Sequence, residues 1–243
     1  MPEGPTLYIL REAAKKFEHH VVQEVRGNAK IVLQRLEHKK ILEIKTWGKH
    51  FLMRFDDFTI KIHFLMFGSY LIDEEKESQI RLGLTFANGT LNFYASQVTM
   101  LEKPLDDIYD WSADVMSEKW DPKKALKKVK AEGDQMICDN LMNQQIFSGV
   151  GNIIKNEVLF LARVHPESIT GKIPAARLKK IIELASDYAF DFLEWKKKHV
   201  LSKHWNVYHK KKCPVCGQEI VRKDTGKGRR SSFYCTKDQK KYE

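Results

Sequence analysis

The chain has 243 residues, with 42 Lys and Arg against 32 Asp and Glu, and a formal net charge of +10. This length allows one large domain or two modest ones, each with its own core. Clustered basic residues displace counterions from phosphate, so the charge favours a polyanionic partner, although a basic protein without such a partner has the same composition.

The sequence contains no apolar run near the roughly 20 residues that cross a bilayer. Its first residues lack the basic start and the apolar stretch of a signal peptide. Three of the four cysteines lie near the C-terminus, which favours a metal site in a reducing compartment over a disulfide framework. We therefore expect a soluble cytoplasmic protein.

A helix is predicted at the start of the chain, where Pro5 suits a first turn and apolar residues recur at helical spacing to Phe17. From about Val21 to Leu101, apolar residues alternate at period two in several short runs, which predicts strands. Asn88 and Gly89 tolerate positive φ and predict a hairpin turn. Together these patterns indicate an antiparallel β-sandwich or barrel.

The character of the sequence changes between Pro104 and Pro122, where acidic and proline-containing segments resemble a linker. Helical patterns follow, including an apolar stripe on a helix that starts near Pro174. The basic, cysteine-bearing tail begins near His204. We predict an α+β multidomain protein with an antiparallel β-sandwich domain that carries a leading helix at 1–110, a helical domain at 111–203 and a small metal-binding hairpin module at 204–243.

Pro2 is the strongest candidate for chemistry. Removal of Met1 would expose its ring nitrogen as a secondary amine, and amino termini have pKa values near 8, so a useful fraction is neutral. Such an amine can attack a sugar C1′ and form an iminium, which also acidifies the C2′ proton. Glu3 could move protons as general acid or base. An ordinary Met-Pro start has the same residues, so the pair needs support from the rest of the chain.

The unit Met1–Pro5 resembles the start of the formamidopyrimidine-DNA glycosylase/endonuclease VIII family. The resemblance implies Schiff-base chemistry at Pro2 and acid/base steps at Glu3. The stretch Trp47–Leu52 is similar to the family's Gly-Lys hairpin, which implies that Lys49 reaches a phosphate beside the lesion and assists catalysis. In isolation, a solvated turn lysine is the better interpretation of Lys49.

The stretch Gln145–Ile153 is similar to the helix–two-turn–helix signature of the same family. Its glycines let the backbone approach DNA closely, and a helix starting near Asn152 offers its N-terminal N–H groups to a phosphate. The resemblance implies that Asn152 also donates to that phosphate. Without this context, the stretch is simply a loop before a helix.

The tail resembles the family's C-terminal zinc finger, which normally has four cysteines. Here the candidate ligands are Cys213, Cys216, Cys235 and Asp238, and carboxylate oxygen is a sound zinc ligand. The alternatives are His209 as the fourth ligand or a weak or absent metal. Arg230 occupies the position of the family's DNA-contacting arginine, because it precedes Cys235 by five residues; a guanidinium can bridge two phosphates. Arg229 competes for that role.

Family members flip the damaged base out and fill the gap with apolar side chains. Leu65, Met66 and Phe67 are the candidates for this wedge, and a buried strand is the alternative for the same residues. The purine-excising branch has a second wedge, Arg-Arg-Phe-Gly, where this chain has Phe93–Leu101. That difference favours endonuclease VIII and oxidised pyrimidines. Thr6 departs from the glutamate that members often have there.

The predicted function is therefore a bifunctional DNA glycosylase and abasic-site lyase. It would remove oxidised bases through a Pro2 Schiff base and nick the strand by β,δ-elimination. Damaged DNA is the expected partner, structural zinc the expected metal, and the monomer the expected state. Three alternatives stay open: a catalytically inactive damage-binding protein of the same fold, a purine-directed glycosylase, and a zinc-ribbon RNA-binding protein.

Overall fold

The computed structural model describes residues 2–243, which form two compact units divided between Tyr109 and Asp110. The predicted helical domain and zinc module both fall in the second unit, and their separation near residue 203 stays a prediction. Met1, whose removal the sequence argument requires, lies outside the described residues.

The first unit begins with the predicted helix, α1 (Gly4–Ala14), which continues into a 3₁₀ turn at Lys15–Phe17. Pro5 lies in the first turn, where its missing N–H costs nothing. The apolar stripe is fully buried, from Leu7 to Phe17. Burial of each large apolar side chain contributes about 1.5–3 kcal/mol, so the stripe is sufficient to hold α1 on the core.

Six antiparallel strands form one sheet in the order β1-β5-β6-β4-β3-β2, which confirms the predicted antiparallel β domain. The strands are β1 (Glu24–Arg26), β2 (Glu43–Trp47), β3 (His50–Arg54), β4 (Thr59–Ile72), β5 (Ile80–Phe86) and β6 (Gly89–Leu101). The β5–β6 turn is the predicted hairpin, and Gly89 there has a φ of +139°. Helix α1 packs against β2 and β3. A short helix, α2 (Leu105–Ile108), follows the sheet.

The second unit is built from helices and one hairpin. Its elements are α3 (Pro122–Ala131), α4 (Ile137–Met142), α5 (Asn152–Leu161), α6 (Ala175–Lys197), β7 (Val221–Thr225) and β8 (Arg230–Tyr234). Short 3₁₀ helices lie at Leu33–Leu36 in the first unit and at Trp111–Ala113, Thr170–Lys172 and Leu201–His204 in the second.

Local sequence explains the ends of these helices. Asp121 caps α3 by accepting from the backbone N–H groups of Lys123 (2.9 Å) and Lys124 (3.0 Å). Helix α6 follows Pro174, and its predicted apolar stripe is buried. Across residues 2–243, none of the helices combines the length and apolar character that a bilayer crossing requires.

Candidate active site and nucleic-acid interface

The chain start is held by α1. Pro2 is half-buried, and Glu3, the residue before the helix, has 1% of its surface exposed. The backbone carbonyl of Glu3 accepts from the N–H of Thr6 at 2.9 Å and of Leu7 at 3.4 Å. These are backbone bonds, which a threonine makes as readily as a glutamate. The nitrogen of Pro2 is therefore one residue away from an ordered helix start.

Lys49 lies in the two-residue turn between β2 and β3, where Trp47 pairs with His50. Gly48 has a φ of +52°, a conformation that glycine adopts without strain. The predicted Gly-Lys hairpin is therefore present. The backbone carbonyl of Lys49 lies 3.2 Å from Nδ1 of His63, so β4 anchors the turn from the neighbouring strand.

An aromatic cluster beside this turn was not predicted from the sequence. His50 pairs directly with His63 across β3 and β4, with ring centroids 5.3 Å apart. Nδ1 of His50 lies 3.1 Å from the hydroxyl of Tyr109. The two histidines meet only through the pairing register of β3 and β4, and Tyr109 is distant from both in sequence. The one signal in the sequence was that a histidine lies beside each candidate segment: His50 beside the Gly-Lys turn and His63 beside the wedge.

Burial dominates the electrostatics of this cluster. It lowers the pKa of His50 to about 4, and electrostatic interactions with Lys61, His63 and Lys49 lower it further. Burial also raises the pKa of Tyr109 to about 12. At neutral pH, His50 and Tyr109 are thus both uncharged, which leaves Lys49 as the cationic group of the turn.

The candidate wedge is exposed. Leu65, Met66 and Phe67 have 51%, 60% and 83% of their surface accessible. They lie in β4 where its pairing with β6 shifts register, between Phe64 and Ser69. A bulge of this kind turns side chains away from the regular alternation, so three consecutive apolar residues reach the surface together. The alternative of a buried strand is wrong for these three positions.

In the second unit, the loop before α5 is ordered by Gln144. Its side chain accepts from the N–H of Gly149 at 3.1 Å and donates to the carbonyl of Val150 at 3.1 Å. Gly149 has a φ of +97°. Helix α5 then starts at Asn152 as predicted, with Gly151 as its N-cap residue.

Asn152 lies deeper than its predicted role suggests, with 7% of its surface exposed. Its Nδ2 donates to the backbone carbonyl of Ser231 at 3.0 Å, and its Oδ1 has no hydrogen-bond partner among the described residues. One of the two amide protons is thus committed to the hairpin. The partial positive charge at the start of α5 and the second amide proton of Asn152 favour an anion at this position.

Arg230 is exposed at the first position of β8, opposite Thr225 on β7. Arg229, its competitor, has a φ of +45° in the turn and donates its backbone N–H to Gly226 at 3.2 Å. Non-glycine residues occupy that conformation at a cost. Both guanidinium groups are accessible, but Arg230 is the one fixed by a strand.

Glu157, on α5, anchors the chain as it enters the finger. Its carboxylate is fully buried and accepts from four N–H groups: the backbone of Asn206, Val207 and Tyr208, and the side chain of Asn206, at 2.8–3.0 Å. Each bond to a charged acceptor contributes more than a neutral one. The segment 206–208 is therefore attached to α5 by bonds that need no metal.

The predicted zinc ligands come together. One ligand atom from each of Cys213, Cys216, Cys235 and Asp238 lies within 4.8 Å of all the others. Oδ2 of Asp238 lies 3.0 Å from Sγ of Cys213 and 3.4 Å from Sγ of Cys235. Three sulfurs and one carboxylate oxygen at this spacing fit tetrahedral zinc. The residues present could therefore hold the metal in a structural role.

Family models match both units. One, described as the formamidopyrimidine-DNA glycosylase N-terminal domain, matches residues 1–98, and another, the formamidopyrimidine-DNA glycosylase H2TH domain, matches residues 112–199. The chain belongs to the formamidopyrimidine-DNA glycosylase/endonuclease VIII family. The resemblance found in the sequence is thereby confirmed.

Within this family, the chain is close to endonuclease VIII. It is 31% identical over 207 residues to endonuclease 8-like 3 of Mus musculus, covering 81% of this chain and 34% of that protein. It is 32% identical over 180 residues to endonuclease 8-like 2 of Bos taurus, covering 69% of this chain and 53% of that protein. The chain thus spans about a third to a half of the length of these two relatives.

The fold is that of solved family members. The crystal structure of a formamidopyrimidine-DNA glycosylase from Lactococcus lactis, noncovalently bound to DNA containing an AP site, matches with a TM-score of 0.87. The match covers 98% of this chain and 100% of that one at 22% identity. At this identity the likeness establishes the fold, and the role of each side chain has to be argued from this chain.

Proposed function

We propose that this protein is a DNA glycosylase and abasic-site lyase that excises oxidised bases, with oxidised pyrimidines preferred, and that it acts as a monomer. One observation supports this most strongly: Pro2 directly precedes the buried Glu3 at a helix start that hydrogen bonds hold in place. A nucleophile and a proton carrier are thus adjacent on an ordered element, as covalent catalysis requires.

The reaction starts at the amine of Pro2 once Met1 has been removed. Its nitrogen lone pair forms a bond to C1′ of the damaged nucleotide, and the glycosidic bond breaks, with its electrons and a proton leaving on the base. The C1′–O4′ bond then opens, O4′ takes a proton, and a positively charged iminium remains.

Elimination follows from the iminium, which acidifies the C2′ proton. Loss of that proton expels the 3′ phosphate and nicks the strand. A second elimination expels the 5′ phosphate and leaves a gap with phosphate ends. Water then hydrolyses the remaining sugar fragment from Pro2. Glu3 carries protons during these steps.

Binding and positioning fall to the other candidates. Lys49, Asn152 and Arg230 contact DNA phosphates, where charge-assisted bonds fix the register of the backbone. Leu65, Met66 and Phe67 fill the space that the flipped nucleotide leaves in the base stack. Their exposure in the absence of DNA is consistent with this role. Zinc at the Cys3Asp cluster supplies structural support to the finger and takes no part in the reaction steps.

The preference for pyrimidines rests on residues 93–101. The purine-directed branch has an Arg-Arg-Phe-Gly wedge at this point, whereas here the whole stretch belongs to β6, paired with β4. The hydrogen bonds between β6 and β4 restrain this stretch, whereas a wedge on a loop has no such restraint. A preference for 8-oxoguanine over thymine glycol in matched duplexes would reverse this part of the proposal.

Borohydride trapping tests the chemistry directly. The intact chain is incubated with an abasic-site duplex and sodium borohydride, and the adduct is mapped by mass spectrometry. We expect a covalent adduct on Pro2 in protein that has lost Met1. Protein that retains Met1 is the matched control and forms none, because its proline nitrogen is an amide. The absence of an adduct from correctly processed protein would instead favour a damage-binding protein without catalysis.

Glu3→Gln separates the two activities. The amide keeps the size of the side chain but cannot carry a proton, so excision of an intact lesion falls by about 10²–10⁴-fold. Incision at a preformed abasic site falls less, because no base has to leave. Pro2→Gly keeps a free amine, so it retains iminium formation. If Glu3→Gln excised intact lesions at the full rate, Glu3 would not be the proton carrier, but the assignment of Pro2 as the nucleophile would be unaffected.

A further inference from the structure

The backbone carbonyl of Ser231, one residue after Arg230, accepts hydrogen bonds from three side chains of α5. The donors are Nδ2 of Asn152 at 3.0 Å, Nδ2 of Asn156 at 3.3 Å and Nζ of Lys155 at 3.4 Å. A carbonyl oxygen has two lone pairs, so three donors are an unusual concentration on one acceptor. The helix that carries Asn152 is thereby fastened to the strand that carries Arg230.

Lys155 is the donor whose burial is most unfavourable, because only 1% of its surface is exposed. Transfer of an ammonium group from water into the interior costs several kcal/mol unless its hydrogen bonds are replaced. Its Nζ also donates to Oγ of Ser232 at 2.9 Å, and that hydroxyl lies 2.6 Å from Oγ1 of Thr225. The buried charge thus bonds to both residues that follow Arg230.

The far side of the hairpin turn is fastened as well. Both carboxylate oxygens of Asp139 accept from the backbone N–H of Lys227, at 2.9 and 3.1 Å. Beyond Ser232, the N–H of Phe233 donates to Oδ1 of Asn156 at 2.8 Å. Arg230 therefore lies on a segment that helices α4 and α5 hold on both sides, while its own side chain stays exposed.

We propose that Lys155 is a positioning residue that sets the separation between Asn152 and Arg230, so that both reach phosphates of one DNA strand in register. This inference rests on the proposed function, since it assigns phosphate contacts to both residues. Lys155 itself is buried and touches no DNA. Its effect passes through Ser231 and Ser232, and it is therefore visible only while Arg230 is present.

A double-mutant cycle on DNA binding tests the proposal. The ligand is a labelled duplex with a tetrahydrofuran abasic-site analogue, which binds without reacting. We expect Arg230→Ala to weaken binding by about tenfold in the native chain, as loss of a charge-assisted bond does. In a Lys155→Met background the same change costs about twofold or less, because the arginine is no longer held in place. Methionine keeps the length of the side chain and removes the charge and the donors.

Salt dependence separates positioning from direct contact. Each phosphate contact contributes about 0.9 to the slope of log K against log salt concentration. If Lys155 is a positioning residue, Lys155→Met lowers the magnitude of this slope only when Arg230 is present. If Lys155 contacts phosphate itself, Lys155→Met lowers the slope equally in the Arg230→Ala background, and that result would overturn the proposal.

Two controls keep the experiment decisive. Lys179→Met removes an exposed lysine of the same unit and is expected to be additive with Arg230→Ala. If Lys155→Met does not fold, Ser232→Ala removes the hydroxyl partner of Lys155 and should give a smaller coupling of the same sign. Additive costs in a folded variant overturn the inference alone. Failure of the native chain to bind the duplex overturns the DNA-binding function as well.

Discussion

Nδ1 of His63 donates a hydrogen bond to the backbone carbonyl of Lys49 at 3.2 Å. A carbonyl can only accept, so Nδ1 of His63 carries the proton of this bond. The residue that anchors the lysine turn thus precedes the exposed wedge by two positions in the same strand, β4. The wedge and the lysine turn are therefore connected by strand β4 and by one hydrogen bond.

His63→Phe should slow single-turnover incision of an abasic-site duplex by about three- to tenfold, which corresponds to the loss of one hydrogen bond. Phenylalanine keeps a ring beside His50 and removes only the donor. Lys49→Met provides the reference, since the histidine acts through the lysine turn. A double variant slower than Lys49→Met would show a separate role for His63.

Substitution of the wedge should affect excision far more than folding. Because Phe67 is 83% exposed, Phe67→Ser should change the free energy of unfolding by no more than about 0.5 kcal/mol. Excision from duplex DNA should fall at least about tenfold, because unstacking of a base step costs a few kcal/mol that the inserted side chain offsets. Val32→Ser, at another exposed apolar position, is the matched control. Comparable losses in both variants would contradict a specific wedge.

The metal cluster should bind one zinc per chain, with Asp238 as the fourth ligand. Asp238→Ala should weaken zinc binding by at least about tenfold in competition with a chelator, whereas Asp238→Cys should retain tight binding. Metal content after dialysis provides the measurement. If Asp238→Ala keeps its zinc and His209→Ala loses it, the fourth ligand is the histidine.

His50 should make folding sensitive to mild acid. Its pKa is about 4 in the folded chain and near 6.5 when exposed, so between these values the unfolded chain binds more protons. The contribution to stability is complete above pH 6.5 and is lost as the pH falls towards 4. It amounts to about 2 kcal/mol once partial solvent screening is allowed for.

His50→Phe should flatten the stability curve over this interval, as measured by urea unfolding at several pH values. Burial is the main cause of the lowered pKa of His50, and Lys61, His63 and Lys49 lower it further. His20→Phe is a suitable control, because that ring is half-buried elsewhere in the same unit. An unchanged slope in His50→Phe would contradict the assignment.

Sequence reasoning succeeded where the determinants are local. The stripe from Leu7 to Phe17, the Asn88-Gly89 turn and the start of α5 all follow from periodicity or backbone preference, and the structure has each of them. The clustering of the four candidate ligands in the finger was predictable because their spacing along the chain is itself the signal.

The features that the sequence did not predict depend on contacts between residues that are distant along the chain. His50 meets His63 only through the β3–β4 register, and Lys155 meets Ser231 only when α5 packs on the hairpin. Alternating hydrophobicity indicates which face a residue occupies but not which strand lies beside it. The exposure of Leu65, Met66 and Phe67 likewise depended on a register shift that no local pattern specifies.

The four hydrogen bonds that Glu157 accepts have a consequence for how the protein recovers from metal loss. Since residues 206–208 stay attached to α5 without zinc, a stripped chain keeps the base of its finger in place. Binding of a new zinc ion then requires only local rearrangement of the three cysteines and Asp238, and the finger does not have to fold again from a disordered segment. We therefore expect a chain stripped of its metal to rebind zinc without refolding of the second unit.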